Sequence, residues 1–127
     1  MAIGKAIGEF SVSLTNVTVT KSAEGGQIHQ GDYEGRAHSD DGTVLGTMTF
    51  MESAPGSDVG KVVWNGANFM DNGDTITSEG QGIFNSIGTH KWRVRSLVTM
   101  SDGTVAIVDS EASLENRKYT GTLYEWE

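Results

Sequence analysis

Apolar and polar residues alternate along most of the chain, in runs of about ten residues separated by short clusters of turn-forming residues. The runs are rich in Val, Thr, Ile and aromatic residues, and none keeps the period of a helix. The pattern therefore predicts eight strands. Their predicted bounds are Glu9 to Thr20, Ile28 to His38, Thr43 to Glu52, Lys61 to Asp71, Thr75 to Phe84, Thr89 to Thr99, Thr104 to Leu114 and Lys118 to Trp126.

Short connections between consecutive strands favour an antiparallel meander. Eight strands are enough for such a sheet to close into a barrel with room for side chains or one small ligand. The predicted fold class is therefore all-β, a single antiparallel up-and-down barrel. A length of 127 residues suits one domain covering residues 1–127.

Charged residues indicate which face of each strand points outward. In the run from Thr89 to Thr99, the basic residues Lys91, Arg93 and Arg95 share one face, which leaves His90 and Trp92 on the other. We expect the charged face outside and the second face inside the barrel. A turn at 101–103 would then place Arg95 opposite Asp109 and Arg93 opposite Glu111, as cross-strand charge pairs.

Glycines recur on the faces that this reasoning turns inward. Glycine weakens a strand and adds no packing, so we interpret the repeats as space beside large side chains, and expect a cavity of ligand size. The alternative is a barrel filled by alternating small and large residues. The inward glycines are Gly31, Gly35, Gly46, Gly66, Gly80, Gly82 and Gly121.

The longest connections, around residues 21–27 and 53–60, fall at the same end of the barrel, which we predict to be its mouth. Inward residues are expected to form an aromatic pocket there with a few polar groups. The predicted substrate-binding residues are Trp64, Trp92, Phe84, Phe50, Met48, Asn68 and His29.

Proton transfer in such a pocket would need an inward titratable group. The candidates are His90, Tyr33 and Tyr119, with Glu34 or Glu125 if a bulge turns either inward. An imidazole can transfer a proton near neutral pH, and a phenol in a dry cavity can polarise a carbonyl or epoxide oxygen. Structural hydrogen bonding is the alternative role for each.

The composition of the chain limits the classes of partner and cofactor that we expect it to bind. A net charge of −8 with nine basic residues argues against nucleic acid or an anionic membrane as the main partner. The chain has no cysteine, which excludes disulfides and thiolate ligands, and its three histidines lack metal-ligand spacing. We expect no cofactor and no metal. Neither a signal peptide nor an apolar membrane span is evident, so a cytoplasmic location is expected.

One short motif resembles a known family. The stretch Gly80-Gln81-Gly82-Ile83-Phe84, followed by Gly88, is similar to a glycine-x-glycine-x-Phe stretch of the allene oxide cyclase and dirigent barrel superfamily. The resemblance covers about ten residues and implies a barrel whose cavity holds an apolar small molecule and steers its cyclisation or coupling, without a cofactor in the cyclases. The matching positions are structural ones, and the family's catalytic groups match no particular residue.

Three functional classes remain open. The first is a cofactor-independent cyclase or isomerase acting on an apolar small molecule. The second is a non-catalytic carrier or sensor, as in lipocalin-like and streptavidin-like barrels. The third is a structural barrel with a filled interior; the outward positions expected for Tyr124 and Trp126 favour a homo-oligomer.

Overall fold

The computed structural model describes residues 3–37 and 39–126, and among them it contains eight strands and no helix. Each strand pairs antiparallel with its neighbour in sequence, and the first pairs with the last, so the sheet closes into an up-and-down barrel. This confirms the predicted fold class. The strands are β1 (Ile3–Lys21), β2 (Gln27–Arg36), β3 (Gly42–Glu52), β4 (Val59–Met70), β5 (Thr75–Gly88), β6 (Lys91–Met100), β7 (Val105–Ser113) and β8 (Lys118–Trp126).

Most of the strand bounds lie within two or three residues of the predicted ones. The largest difference is at β1, which begins at Ile3 rather than near Glu9 because its first half pairs with β8 and its second half with β2. The predicted end of β2 at His38 lies outside the described residues.

A β-bulge divides the two halves of β1. The pairing with β2 shifts register between Leu14 and Asn16, so Thr15 is an extra residue in the strand. Side chains alternate between faces along a strand, and one extra residue therefore reverses the parity. As a result Val12 and Leu14 before the bulge and Val17 after it face the same side, the interior.

The core consists of two layers stacked along the barrel axis. The layer nearer the long connections centres on the buried side chains of Met48, Val62 and Val94. The second layer contains Val98 and Leu123 together with two further small side chains of β7. Both layers are drawn from alternate residues of the strands, as the hydrophobic pattern indicates.

The outer charges follow the predicted register with one difference in the ion pair. Arg93 lies opposite Glu111 and Arg95 opposite Asp109, as expected. The salt bridge, however, is diagonal: the Arg93 guanidinium donates to both carboxylate oxygens of Asp109 at 3.0 and 2.8 Å, whereas Arg95 donates to Asn85. A fork of two parallel bonds lowers the pKa of Asp109 below its usual value.

The inward glycines are not vacant space, which corrects the interpretation drawn from the sequence. A Cβ at Gly46 would overlap the six-membered ring of Trp64, and one at Gly66 would lie 2.5 Å from Cζ2 of the same ring. A Cβ at Gly82 would collide with the carbonyl oxygen of Arg95 on the next strand. These glycines therefore admit a tryptophan ring or a neighbouring main chain.

Candidate ligand-binding site

A recess of about 370 Å³ opens at the end of the barrel that carries the turns at residues 22–26, 53–58, 89–90 and 114–117. This is the end at which the longer connections lie. Gly31 is the only one of the seven inward strand glycines among its lining residues. The recess therefore arises from the placement of rim and wall side chains more than from missing ones.

Aromatic side chains form the floor of the recess. Phe50 packs edge-on against Phe84, with ring centroids 5.4 Å apart, and its centroid lies 6.5 Å from that of Trp92. The three residues come from β3, β5 and β6, with β4 between the first two strands, at positions where the pleat turns them inward. Such a floor offers a ligand large, rigid apolar surfaces with little entropic cost.

The wall on the β1 side is aliphatic and was missed from the sequence. Leu14, Val17 and Val19 line the recess, although Val17 and Val19 are 44% and 55% exposed. The bulge at Thr15 is what turns both valines inward. A change of parity in the apolar alternation between Leu14 and Val17 is the signal that could have identified this wall.

Tyr33 places a phenol in the floor. Its ring lies over Gly31, since a Cβ there would be 3.0 Å from Cε2 and 3.4 Å from Cζ, and the hydroxyl end therefore points toward the mouth. Within the described part of the chain this hydroxyl makes no hydrogen bond. Burial raises the pKa of Tyr33 to about 12. The phenol is therefore protonated at neutral pH and can donate a hydrogen bond.

Ser113 adds a second hydroxyl without a partner. It lies at the end of β7 beside the recess, opposite Lys91 and Lys118, and its Oγ is buried without a hydrogen-bond partner among the described residues. Native structures rarely leave a buried polar atom unpaired, so each such atom needs an explanation. Because the neighbouring Ala112 faces the interior, strand alternation turns the Ser113 hydroxyl away from the recess and leaves Tyr33 as the unpartnered phenol donor in the floor.

The rim holds a short polar chain. The main-chain N–H of Gln27 donates to Oε1 of Glu52 at 2.6 Å, and the side-chain oxygen of Gln27 lies 2.8 Å from Nε2 of His29. Because an amide oxygen only accepts, Nε2 of His29 is the donor in this contact. Asp58 completes the rim on the side of the 53–58 turn.

The remaining predicted pocket residues lie deeper in the barrel. Trp64, Asn68 and Tyr119 line a second, smaller space of about 80 Å³. Trp64 donates its indole N–H to Ser78 at 2.9 Å. Met48, also predicted to bind substrate, is only 1% exposed and is packed in the core layer near the recess.

Tyr119 has a hydrogen-bonded hydroxyl, unlike Tyr33. Ser110 Oγ donates to the carbonyl of Val94 at 2.8 Å and lies 2.9 Å from the Tyr119 hydroxyl. Since Ser110 has one hydroxyl proton, the phenol supplies the proton of the second bond. Burial raises the pKa of Tyr119. Its hydroxyl is thus used within the structure, and its ring lies 5.6 Å from that of Tyr33.

His90 is not inside the barrel, and its predicted inward placement is wrong. It is exposed in the turn between β5 and β6, with φ of 53°. The prediction counted parity back from Trp92 through a strand beginning at Thr89, whereas β6 begins at Lys91. In the turn, the carbonyl of His90 accepts from the N–H of Leu114. Glu34 is also exposed, so no bulge turns it inward.

The structure therefore brings together five of the ten predicted site residues in the recess. They are Tyr33, Phe50, Phe84, Trp92 and His29. No protein-family model, characterised protein or solved structure matches the chain significantly. Within residues 3–37 and 39–126 no three His, Asp or Glu side chains are grouped as a metal ion would require, and no helix is long and apolar enough to cross a membrane.

Proposed function

We propose that the barrel binds an apolar small molecule in the recess at its mouth, with a hydrogen-bond acceptor of the ligand directed at Tyr33. The observation that carries the proposal is the unpartnered Tyr33 hydroxyl in a recess whose floor is aromatic. A volume of about 370 Å³ is in the usual range of ligand pockets. A carbonyl, ether or ester oxygen on a hydrophobic skeleton would satisfy both features.

The binding energy would come mainly from the aromatic floor and the aliphatic wall, because burial of apolar area is the dominant favourable term. The Tyr33 hydroxyl would orient the ligand, since a hydrogen bond to an acceptor contributes about 0.5–1.5 kcal/mol. The deep end of the recess is therefore the part that should distinguish one ligand from another.

A pair of valine variants tests the site. Val17 lines the recess and is 44% exposed; Val59 is at the same end and 49% exposed but points to the outer wall. The neutral fluorescent probe N-phenylnaphthylamine should bind the native protein. V17W should weaken its binding about tenfold, or 1.4 kcal/mol, by filling the opening, and V59W should leave it unchanged. Equal effects of the two variants would contradict binding in the recess.

The second candidate is a cofactor-independent cyclase or isomerase, favoured by the free donor of Tyr33. A protonated phenol can stabilise charge that develops on a carbonyl or epoxide oxygen, while Phe50, Phe84 and Trp92 hold an apolar chain in a reactive conformation. The motif that resembles the allene oxide cyclase and dirigent superfamily supports the same class. Of its residues, Phe84 belongs to the recess floor and Gly82 allows close contact between strands.

Catalysis is tested by following a retained ligand. Native mass spectrometry of the purified protein would identify the ligand by mass, and chromatography after incubation would reveal an isomer of equal mass but different retention. Y33F should keep most of the binding and lower the rate by about 10²–10⁴-fold. A ligand recovered unchanged after prolonged incubation would favour the carrier over the enzyme.

A further inference from the structure

The Asp, Glu, Lys and Arg side chains that line the recess are all acidic, within the described part of the chain. Glu52 and Asp58 contribute carboxylates to the rim, and no Lys or Arg is among the described residues that line the recess. Two lysines at the same end are engaged away from the recess: Lys91 Nζ lies 4.0 Å from Glu115, and Lys118 donates to Ser13 at 2.7 Å. Lys21 is exposed at the end of β1, opposite Gln27, and is not among the lining residues.

An anionic group would therefore find no lysine or arginine among the described residues that line the recess. At the deep end it would meet the rings of Phe50, Phe84 and Trp92, where an ion loses its hydration without a counter-charge. At the rim it would approach Glu52, whose carboxylate is held in place by the 2.6 Å bond from the Gln27 N–H. The Tyr33 hydroxyl could bond an anion but does not neutralise its charge.

From this arrangement we infer that the recess selects uncharged ligands and excludes carboxylates, sulfonates and phosphates of the same skeleton. The inference rests on the proposed function, because it concerns the ligand of the same recess. It narrows the ligand class to neutral oxygenated hydrophobic molecules such as ketones, esters, ethers or epoxides. Fatty-acid-like molecules, whose carboxylate is ionised at neutral pH, fall outside this class.

Two probes that share one skeleton test the selection. N-phenylnaphthylamine is neutral, and anilinonaphthalene sulfonate is the same skeleton with a sulfonate. Dissociation constants of both are measured by fluorescence at about 0.15 M salt, which screens charges more than about 8 Å away. The neutral probe should bind the native protein at least about tenfold more tightly than the sulfonate.

Matched charge variants locate the cause of the selection. E52Q/D58N removes both rim charges, and glutamine keeps the acceptor for the Gln27 N–H. Both carboxylates would lie within about one Debye length of a sulfonate at the mouth, where the apolar walls reduce the effective dielectric, so the affinity ratio of the two probes should fall about fivefold. E79Q/E111Q makes the same change in net charge on the outer wall, where both residues are exposed, and should leave the ratio within about twofold.

The outcomes separate the inference from the function on which it rests. A lower ratio in the rim variant alone supports the selection. Equal binding of both probes to the native protein, or an equal fall in both variants, overturns the selection while leaving recess binding intact. Failure of the neutral probe to bind at all overturns the selection and the proposed function together.

Discussion

Substitution of Gly46 by alanine should destabilise the barrel, because the added methyl group would overlap the six-membered ring of Trp64. The ring has little freedom to move away: its Nε1 donates to Ser78 at 2.9 Å, and on the other side Gly66 is close enough that a Cβ there would lie 2.5 Å from Cζ2. Overpacking of this kind costs about 1–3 kcal/mol. For a chain of this length that corresponds to a fall in Tm of roughly 4–12 °C.

The assay is urea or thermal unfolding of the native protein and of G46A, with G88A as the matched control. A Cβ at Gly88 meets no atom within 4 Å and needs no positive φ, so G88A should be neutral or stabilising by about 0.4–1 kcal/mol. Combining G46A with W64F should recover part of the loss, because Phe lacks the outer ring atoms that cause the overlap. A G46A protein as stable as the native one would refute the account of the inward glycines.

Three further predictions concern side chains at or near the barrel wall. The free energy of unfolding should fall between about pH 10 and pH 12, because tyrosines of the unfolded chain lose their protons near pH 10. In the folded state Tyr33, with its pKa of about 12, and Tyr119, whose pKa is also raised, keep theirs. Urea unfolding followed across this pH range measures the fall, and Y33F should make it less steep. A double-mutant cycle on Arg93 and Asp109 should give a small favourable coupling that disappears in high salt, and no coupling at low salt would contradict the diagonal ion pair. H90G should leave probe binding unchanged and slightly raise the unfolding midpoint, because the residue lies outside the recess at a φ that glycine adopts easily, and loss of binding would return His90 to the site.

The barrel and most of its inward faces could be predicted because a strand repeats every two residues, and burial on one face makes that repeat visible in the sequence. Trp92 inside with Arg93 and Arg95 outside follows from the pattern and is confirmed. The recess floor could be predicted in the same way. The chemistry of the floor could not be predicted, because the hydrogen bonds that distinguish Tyr33 from Tyr119 depend on neighbours brought together by the closed sheet.

The errors arose where the two-residue period is broken. One extra residue at Thr15 turns Val17 and Val19 into the recess, and a turn that begins two residues before Lys91 takes His90 out of it. The prediction of empty space at the inward glycines was wrong for a different reason. Composition shows that a side chain is missing, but whether the space is empty, holds the ring of Trp64, or admits the main chain beside Gly82 depends on packing between strands.

The chain offers three indole N–H groups as reporters of where a ligand binds. Trp92 lies in the recess floor, Trp64 is bonded to Ser78 in the deeper space, and Trp126 is 41% exposed on the outside. The most direct test of the proposed site is an NMR titration of these three resonances with N-phenylnaphthylamine. We predict that the Trp92 indole resonance shifts with saturable binding while the Trp126 resonance does not move. A shift confined to Trp126, with Trp92 unaffected, would contradict the assignment of the recess as the binding site.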